Sequence, residues 1–101
     1  MNKYQILFKT EAKTDMDTLY FYIADELMAP RTADNYIDGI LEKIESLMFA
    51  AEIYAINPND CIQRLYGPGA RTIIYKKMTI IYNVEGENVM IRRVIPGAMI
   101  F

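Results

Sequence analysis

The sequence predicts an α+β fold, in which an N-terminal helical hairpin covers a mainly antiparallel β-sheet. Three observations support this class. Residues 71–95 contain three runs rich in β-branched and aromatic side chains, separated by short polar connections. Residues 15–28 and 33–48 carry apolar side chains at helical spacing. A short apolar segment, residues 3–9, precedes both helices, so the predicted order is β-α-α-β-β-β.

The first predicted strand alternates, with Tyr4, Ile6 and Phe8 on one face and Leu7 on the other. Thr14, with Asp17 three residues later, predicts the N-cap of the first helix. Pro30 predicts both the end of that helix and the first turn of the next. The expected apolar stripe of the first helix comprises Met16, Leu19, Tyr20, Ile23 and Leu27.

The second helix has the clearest periodicity in the chain. Gly39 inside it costs about 1 kcal/mol relative to alanine, which predicts that a neighbouring element approaches closely there. Two helices joined by so short a link are expected to form an αα-hairpin. We expect Ile37, Ile40, Leu41, Ile44 and Leu47 to pack on Ile80, Tyr82 and Val94; the full apolar stripe adds Ala33, Tyr36 and Met48.

Residues 50–69 show no clear pattern. Asn57-Pro58-Asn59 predicts a helix end, and the glycines and proline of residues 66–69 predict a loop. Ile62 and Leu65 are expected to anchor this connection on the core.

The last three strands are predicted at residues 71–75, 79–84 and 89–95, with a turn at Lys76-Lys77 and a loop at residues 85–88. Alternation assigns the side chains of these strands to two faces. In the strand at residues 79–84, one face carries Ile80, Tyr82 and Val84 and the other carries Thr79, Ile81 and Asn83. In the strand at residues 89–95, one face carries Met90, Arg92 and Val94 and the other carries Val89, Ile91, Arg93 and Ile95.

The composition is that of a globular protein, since 52% of the 101 residues are hydrophobic and 24% are charged. We expect one domain, residues 1–101, with a single core. The lone Cys61 excludes an intrachain disulfide and suits a reducing compartment. The apolar segment before Lys9 is too short for a signal peptide, and no apolar run is long enough to span a membrane. A cytoplasmic protein with no membrane partner is therefore expected.

Charge is divided unevenly along the chain. Residues 1–60 carry five Lys/Arg against eleven Asp/Glu, a net charge of −6, whereas residues 61–101 carry six against two, a net charge of +4. The basic half contains the predicted strands. This asymmetry either marks a surface that faces an acidic partner or is an ordinary distribution of solvated charges.

The sequence lacks the residues of several catalytic and metal sites. It has no histidine, the commonest general base and metal ligand, and its single cysteine cannot build a zinc site. Gly67-Pro68-Gly69 is not followed by the Lys-Ser/Thr of a phosphate loop. We therefore expect no metal and no cofactor.

Taken in order, several short segments resemble the ParE/RelE superfamily of toxins from type II toxin–antitoxin modules. The resemblance spans nearly the whole chain, in segments that are weak singly and specific in this order. The matching segments are Lys9-Thr10-Glu11-Ala12, Tyr22-Ile23-Ala24, Ala29-Pro30-Arg31-Thr32-Ala33, Ile44-Glu45-Ser46-Leu47, Arg71, Ile80-Ile81-Tyr82-Asn83-Val84 and Val89-Met90-Ile91-Arg92-Arg93-Val94-Ile95.

The resemblance implies a toxin that a cognate antitoxin wraps and silences. RelE-like members cut mRNA on the ribosome, using basic or acid–base side chains where this sequence has Thr79, Pro96, Ala98 and Met99. ParE-like members poison DNA gyrase. The missing side chains and the pI of about 5.0 favour the ParE side. Two alternatives stay open: an mRNA interferase with Arg71 and Arg93 as weak catalytic candidates, and a non-toxic relative that only forms complexes.

The expected partners are a cognate antitoxin and DNA gyrase, with the ribosome and mRNA in the interferase alternative and a second copy in a homodimer. For the antitoxin we predict an acidic amphipathic segment beside the last strand. The chain's apolar last four residues either dock this partner or fold back on the core. The predicted partner-binding residues are Arg71, Arg92, Arg93, Met99, Ile100 and Phe101.

Overall fold

Four strands form one sheet in the computed structural model, which describes residues 3–97. The strands are β1 (Gln5–Phe8), β2 (Arg71–Tyr75), β3 (Met78–Glu85) and β4 (Asn88–Pro96). They lie in the order β1-β4-β3-β2, with β1 parallel to β4 and the other pairs antiparallel. Together with the helical hairpin on one face, this sheet confirms the predicted α+β class.

The predicted hairpin consists of α1 (Thr10–Phe21), a π-helical turn (Tyr22–Glu26) and α2 (Pro30–Glu45). The predicted N-cap at Thr14 is wrong, because α1 begins at Thr10 and its N-cap position is held by Lys9 without a side-chain cap. Ala12, in the first turn, is fully buried in the main core. Packing therefore stabilises a turn that the polar pattern did not indicate.

Burial also corrects one residue of the predicted α1 stripe. Met16 and Leu19 pack on the core and Ile23 is buried, whereas Leu27 is 56% exposed. The π-helical turn causes the difference. It adds a residue to one turn, so the positions beyond it rotate by about 100° relative to an uninterrupted α-helix.

The second helix covers the sheet as predicted. Pro30 is its first residue, and the apolar stripe faces the strands. The hydroxyl end of the Tyr75 side chain on β2 lies directly against Gly39, which confirms the close approach. Leu41 is only partly buried. The main core cluster is Ala12, Ile40, Ile44, Leu47, Ala51, Ile73, Met78, Ile80, Tyr82, Val89, Ile91 and Val94, with Ile37 packed against it.

Two short helices lie between α2 and β2, and the predicted element order lacks them. They are α3 (Leu47–Ala50) and α4 (Asp60–Tyr66). Asn59 caps α4 by accepting a 3.1 Å hydrogen bond from the Ile62 backbone N–H. Ile62 is buried as expected, but Leu65 is 70% exposed and does not anchor the segment. Tyr66 packs instead, on a second cluster of Ile62, Ala70, Ile81 and Ile95.

The alternation predicted for β4 fails after Ile91. Tyr82 pairs with Ile91 while the preceding residue, Ile81, pairs with Arg93, so Arg92 is an extra residue in a β-bulge. The bulge moves Val94 onto the same core face as Val89 and Ile91. Within residues 3–97, no helix is long and apolar enough to cross a membrane.

Candidate functional site

An apolar groove of about 640 Å³ runs along β1, where the edge of the sheet meets α2. It forms because β1 is an edge strand and only part of its inner face is covered by the helix. The Tyr4 hydroxyl donates a hydrogen bond to the Glu52 carboxylate, which raises the pKa of Tyr4. The groove is lined by Lys3, Tyr4, Gln5, Ile6, Phe8, Leu41, Ile44, Glu45 and Met48.

A second hollow of about 360 Å³ continues this groove towards α1. Phe8 and Leu41 line both hollows, and Met16 adds an apolar wall. Lys13 and Asp17 supply charged side chains at this end. The two hollows form one continuous surface, which we call the β1 groove. Its apolar floor and open strand edge suit an extended or helical protein segment.

Arg71, one of the two weak catalytic candidates, is held by carbonyl oxygens of the segment after α3. Its guanidinium donates to the Tyr54 carbonyl and, at 3.4 Å, to the Glu52 carbonyl. Beside it, the buried Tyr82 hydroxyl donates to the Ala51 carbonyl at 2.7 Å. Burial raises the pKa of Tyr82 to about 12. These contacts hold residues 51–54 against the sheet.

The other weak candidate, Arg93, forms a two-pronged ion pair with Asp15 on α1. Nε lies 2.7 Å from Oδ2, and Nη2 lies 3.0 Å from Oδ1. The Asp15 carboxylate also accepts the Val94 backbone N–H at 2.9 Å. The hydrogen bond to Asp15 raises the pKa of Arg93, so this guanidinium stays charged. The ion pair fixes α1 to the last strand.

The β4 bulge directs Arg92 and Arg93 to the same aromatic side chain. The Arg92 guanidinium lies 5.4 Å from the Tyr66 ring centroid and donates to the Asn83 side chain at 2.8 Å. Arg93 donates to the Tyr66 hydroxyl at 3.4 Å. The sequence predicted these two arginines on opposite faces, because a bulge without glycine leaves no visible signal in a strand pattern.

This arrangement offers little for phosphate chemistry. A phosphate approaching Arg93 would compete with the Asp15 carboxylate, and a phosphate at Arg71 would displace two backbone carbonyls. Thr79, at one position where the resemblance expects a basic or acid–base group, is 7% exposed. Among residues 3–97, no three His, Cys, Asp or Glu side chains are grouped to hold a metal ion.

A third hollow of about 430 Å³ lies between α1 and the end of β4. Asp15 and Arg93 form its charged side, and Leu19, Tyr22 and Pro96 are among its other lining residues. Gly97 follows, with its N–H donating to the Lys77 carbonyl at 2.9 Å. The predicted partner-binding residues Met99, Ile100 and Phe101 lie outside the described residues.

Strand β4 is not an edge of the sheet, because β1 and β3 flank it. A partner segment cannot add to the sheet beside β4, although it could cross the face that carries Arg92 and Arg93. The β1 groove was not predicted. Its only sequence signal was the apolar pattern of residues 3–9, which does not show which strand will be an edge.

Comparisons with known proteins agree on the fold. The sequence model of the family described as "ParE toxin of type II toxin-antitoxin system, parDE" matches residues 6–101. Among curated proteins, no sequence matches this chain.

Three solved structures share the fold. A chain of a chromosomal ParDE toxin–antitoxin system from P. aeruginosa superposes with a TM-score of 0.77 at 22% identity, covering 93% of this chain and 96% of that one. The RelBE2 toxin–antitoxin complex from Mycobacterium tuberculosis gives 0.64 at 16% identity, with 93% and 98% covered. YafQ from E. coli gives 0.51 at 13% identity, with 98% and 99% covered.

Proposed function

The chain belongs to the ParE toxin family of type II toxin–antitoxin systems, and from that membership we propose that a cognate antitoxin neutralises it and that it acts by binding a protein target. DNA gyrase is the target that the family resemblance implies. In this proposal the protein is a binding toxin and not a nuclease.

The non-enzymatic proposal rests on one observation, which is that both candidate arginines are already bound to other groups of the protein. Arg93 is paired with Asp15, and Arg71 is bound to main-chain carbonyls. Loss of a single transition-state donor typically lowers a rate by ~10²–10³. With both arginines occupied and no histidine in the sequence, cleavage of RNA lacks both the predicted catalytic candidates and the commonest general base.

For the antitoxin, the β1 groove is the binding site that the geometry supports best. The groove is apolar and continuous, and it adjoins an open strand edge. We infer that an amphipathic antitoxin segment places apolar side chains on Phe8 and Leu41, either as a helix in the groove or as a strand beside β1. The similar ParDE and RelBE2 structures are toxin–antitoxin systems, which supports an antitoxin partner here.

The predicted contacts of antitoxin carboxylates with Arg71, Arg92 or Arg93 stay a prediction. An antitoxin carboxylate would have to displace or share the existing partners of these arginines, because each guanidinium already has intramolecular hydrogen bonds. Arg93 keeps 30% of its side chain exposed, so an incoming carboxylate could share it with Asp15.

Induced expression without antitoxin tests the proposal, with growth, mRNA integrity and DNA supercoiling scored in the same culture. We expect growth arrest with intact mRNA and altered supercoiling. Codon-specific mRNA cuts would support the interferase alternative, and unimpaired growth would support a non-toxic relative.

A substitution in the groove tests the antitoxin site separately. Leu41→Asp should abolish rescue by the co-expressed antitoxin while growth arrest persists. Ile74→Asp, at a 65% exposed position on the opposite edge strand, is the matched control and should be rescued normally. Normal rescue of Leu41→Asp would exclude the groove as the antitoxin site.

A further inference from the structure

Four large apolar side chains are exposed together at the end of the helical hairpin. Phe21 is 57% exposed, Tyr22 53%, Leu27 56% and Met28 85%. They fall within eight consecutive residues, and we call them the hairpin tip. Scattered exposed apolar residues are normal in proteins, whereas a contiguous group usually marks an interaction surface.

The backbone places two of these side chains, Tyr22 and Leu27, close to each other. In the π-helical turn the Leu27 N–H donates to the Tyr22 carbonyl at 3.1 Å, so these two exposed residues lie one turn apart. The Phe21 ring makes an edge-to-face contact with Tyr20, with centroids 5.5 Å apart. Met28 has a φ of 52°, a left-handed conformation that is uncommon for a residue with a side chain.

A left-handed residue such as Met28 commonly ends a helix, and the Ala29 N–H that follows it donates to the Ile23 carbonyl at 3.0 Å. The π-helical turn before it is the feature that departs from a regular helix. An uninterrupted α-helix would place Leu27 on the buried stripe with Met16, Leu19 and Ile23. The π-helical turn instead directs it to solvent, and the left-handed residue places Met28 outside the core as well. Single π-helical turns inside α-helices are frequent at functional sites.

The charge around the tip indicates the chemistry of what binds it. Residues 14–30 contain four acidic side chains and no Lys or Arg; the first basic residue after Lys13 is Arg31. Asp15 is already paired with Arg93. Asp25 and Glu26 are both exposed within the turn itself. Exposed apolar side chains flanked by uncompensated carboxylates fit a protein segment that combines apolar anchors with Lys or Arg.

We propose that the hairpin tip is the surface with which this toxin binds its protein target, through a basic, apolar-bearing segment of that target. This inference rests on the proposed function and adds the surface and the class of partner. It leaves the β1 groove to the antitoxin, so the two partners contact separate regions of the toxin.

Two pairs of substitutions, each with a matched control, test the proposal. Leu27→Ser/Met28→Asn removes two of the four exposed apolar side chains, and asparagine tolerates the left-handed backbone at position 28. Its control is Phe49→Ser/Ile53→Asn, which removes side chains of similar exposure in α3 and just after it. Asp25→Lys/Glu26→Lys reverses the charge at the tip, and Glu85→Lys/Glu87→Lys reverses two exposed charges around the β3–β4 loop.

Growth arrest on induction, gyrase binding by the purified proteins and rescue by antitoxin are measured for every variant. We expect both tip variants to lose growth arrest and to bind gyrase about tenfold or more weakly, as interface anchors usually do. Both controls should behave as wild type, and all variants should still bind antitoxin. The charge-reversed tip should also show a smaller dependence of binding on salt.

The outcomes separate the inference from the proposed function. If the wild type arrests growth and the tip variants arrest it equally, the tip is not the target surface, whatever the target is. Loss of antitoxin binding by the tip variants, with toxicity unchanged, would assign the tip to the antitoxin and overturn the proposal. A toxic wild type that does not bind gyrase would refute the gyrase assignment, with the growth data still deciding the role of the tip. A wild type without toxicity would refute both.

Discussion

Replacement of Gly39 by alanine tests how closely α2 lies on the sheet. A β-carbon at position 39 would overlap the Tyr75 hydroxyl oxygen and Cζ, so the ring would have to move. Tyr75 is not free to do so without loss. Its ring makes an edge-to-face contact with Tyr36, with centroids 5.4 Å apart, and the Lys76 ammonium lies over both rings.

The expected effect is the balance of three contributions. Overpacking costs about 1–3 kcal/mol, and loss of an aromatic pair costs about 0.5–1.5 kcal/mol. Alanine recovers about 1 kcal/mol of helix propensity. We therefore expect Gly39→Ala to lower the free energy of unfolding by about 2 kcal/mol, which corresponds to a Tm lower by on the order of 10 °C for a chain of this size.

Urea unfolding followed by circular dichroism measures this difference. Asp38→Ala, at the exposed neighbouring position of α2, is the control and should change stability little. In a Tyr75→Ala background, Gly39→Ala should instead stabilise the protein by about 1 kcal/mol, because the obstructing ring is gone. Stabilisation of the otherwise wild-type protein by Gly39→Ala would refute the close approach.

Three further predictions concern the core, the pH dependence and the C-terminal residues. Ile44→Ala, at a 1% exposed position, should lower the free energy of unfolding by about 2–5 kcal/mol in urea, and a change near zero would place this side chain outside the core. The pKa of Tyr82 is raised from 10.0 to about 12, so between these pH values the folded state keeps a proton that the unfolded state loses. The free energy of unfolding should therefore fall as pH rises above about 10, and Tyr82→Phe should lessen that fall. Deletion of residues 98–101 should leave Tm unchanged and weaken antitoxin binding, whereas a lower Tm with unchanged affinity would show that these residues serve the fold.

The strands and the second helix could be predicted because their patterns are local. β2 coincides with the predicted run 71–75, and the bounds of β3 and β4 differ from those predicted by one residue at each end. The β-branched runs and the polar turn at Lys76-Lys77 carry that information in the sequence. In α2, Pro30 and the long apolar stripe do the same.

The predictions are wrong where tertiary contacts or backbone irregularities determine the bounds of an element or the face on which a residue lies. Burial of Ala12 starts α1 earlier than its polar residues indicated, and the bulge at Arg92 changes the face of each residue after it. Helix α4 had a usable signal in Asn59 as an N-cap, but its seven residues show too little periodicity to reveal which side is buried.

The candidate surfaces were less accessible to sequence reasoning. The β1 groove depends on β1 pairing only with β4, which no local pattern specifies. The hairpin tip depends on the π-helical turn that rotates Leu27 out of its stripe. The arginines were predicted as site residues from their positions, but sequence reasoning could not foresee their intramolecular partners, because Asp15, Tyr54 and Asn83 are distant in sequence.

The most direct test of the central claim, that this toxin binds a protein target and is not a nuclease, is a gyrase supercoiling assay with the purified protein. The same preparation is added to translating ribosomes as the comparison. We expect inhibition of supercoiling that rises with toxin concentration, and no cleavage of mRNA on the ribosome. Unimpaired gyrase together with codon-specific mRNA cuts, lost in Arg71→Ala, would contradict the account and establish an interferase.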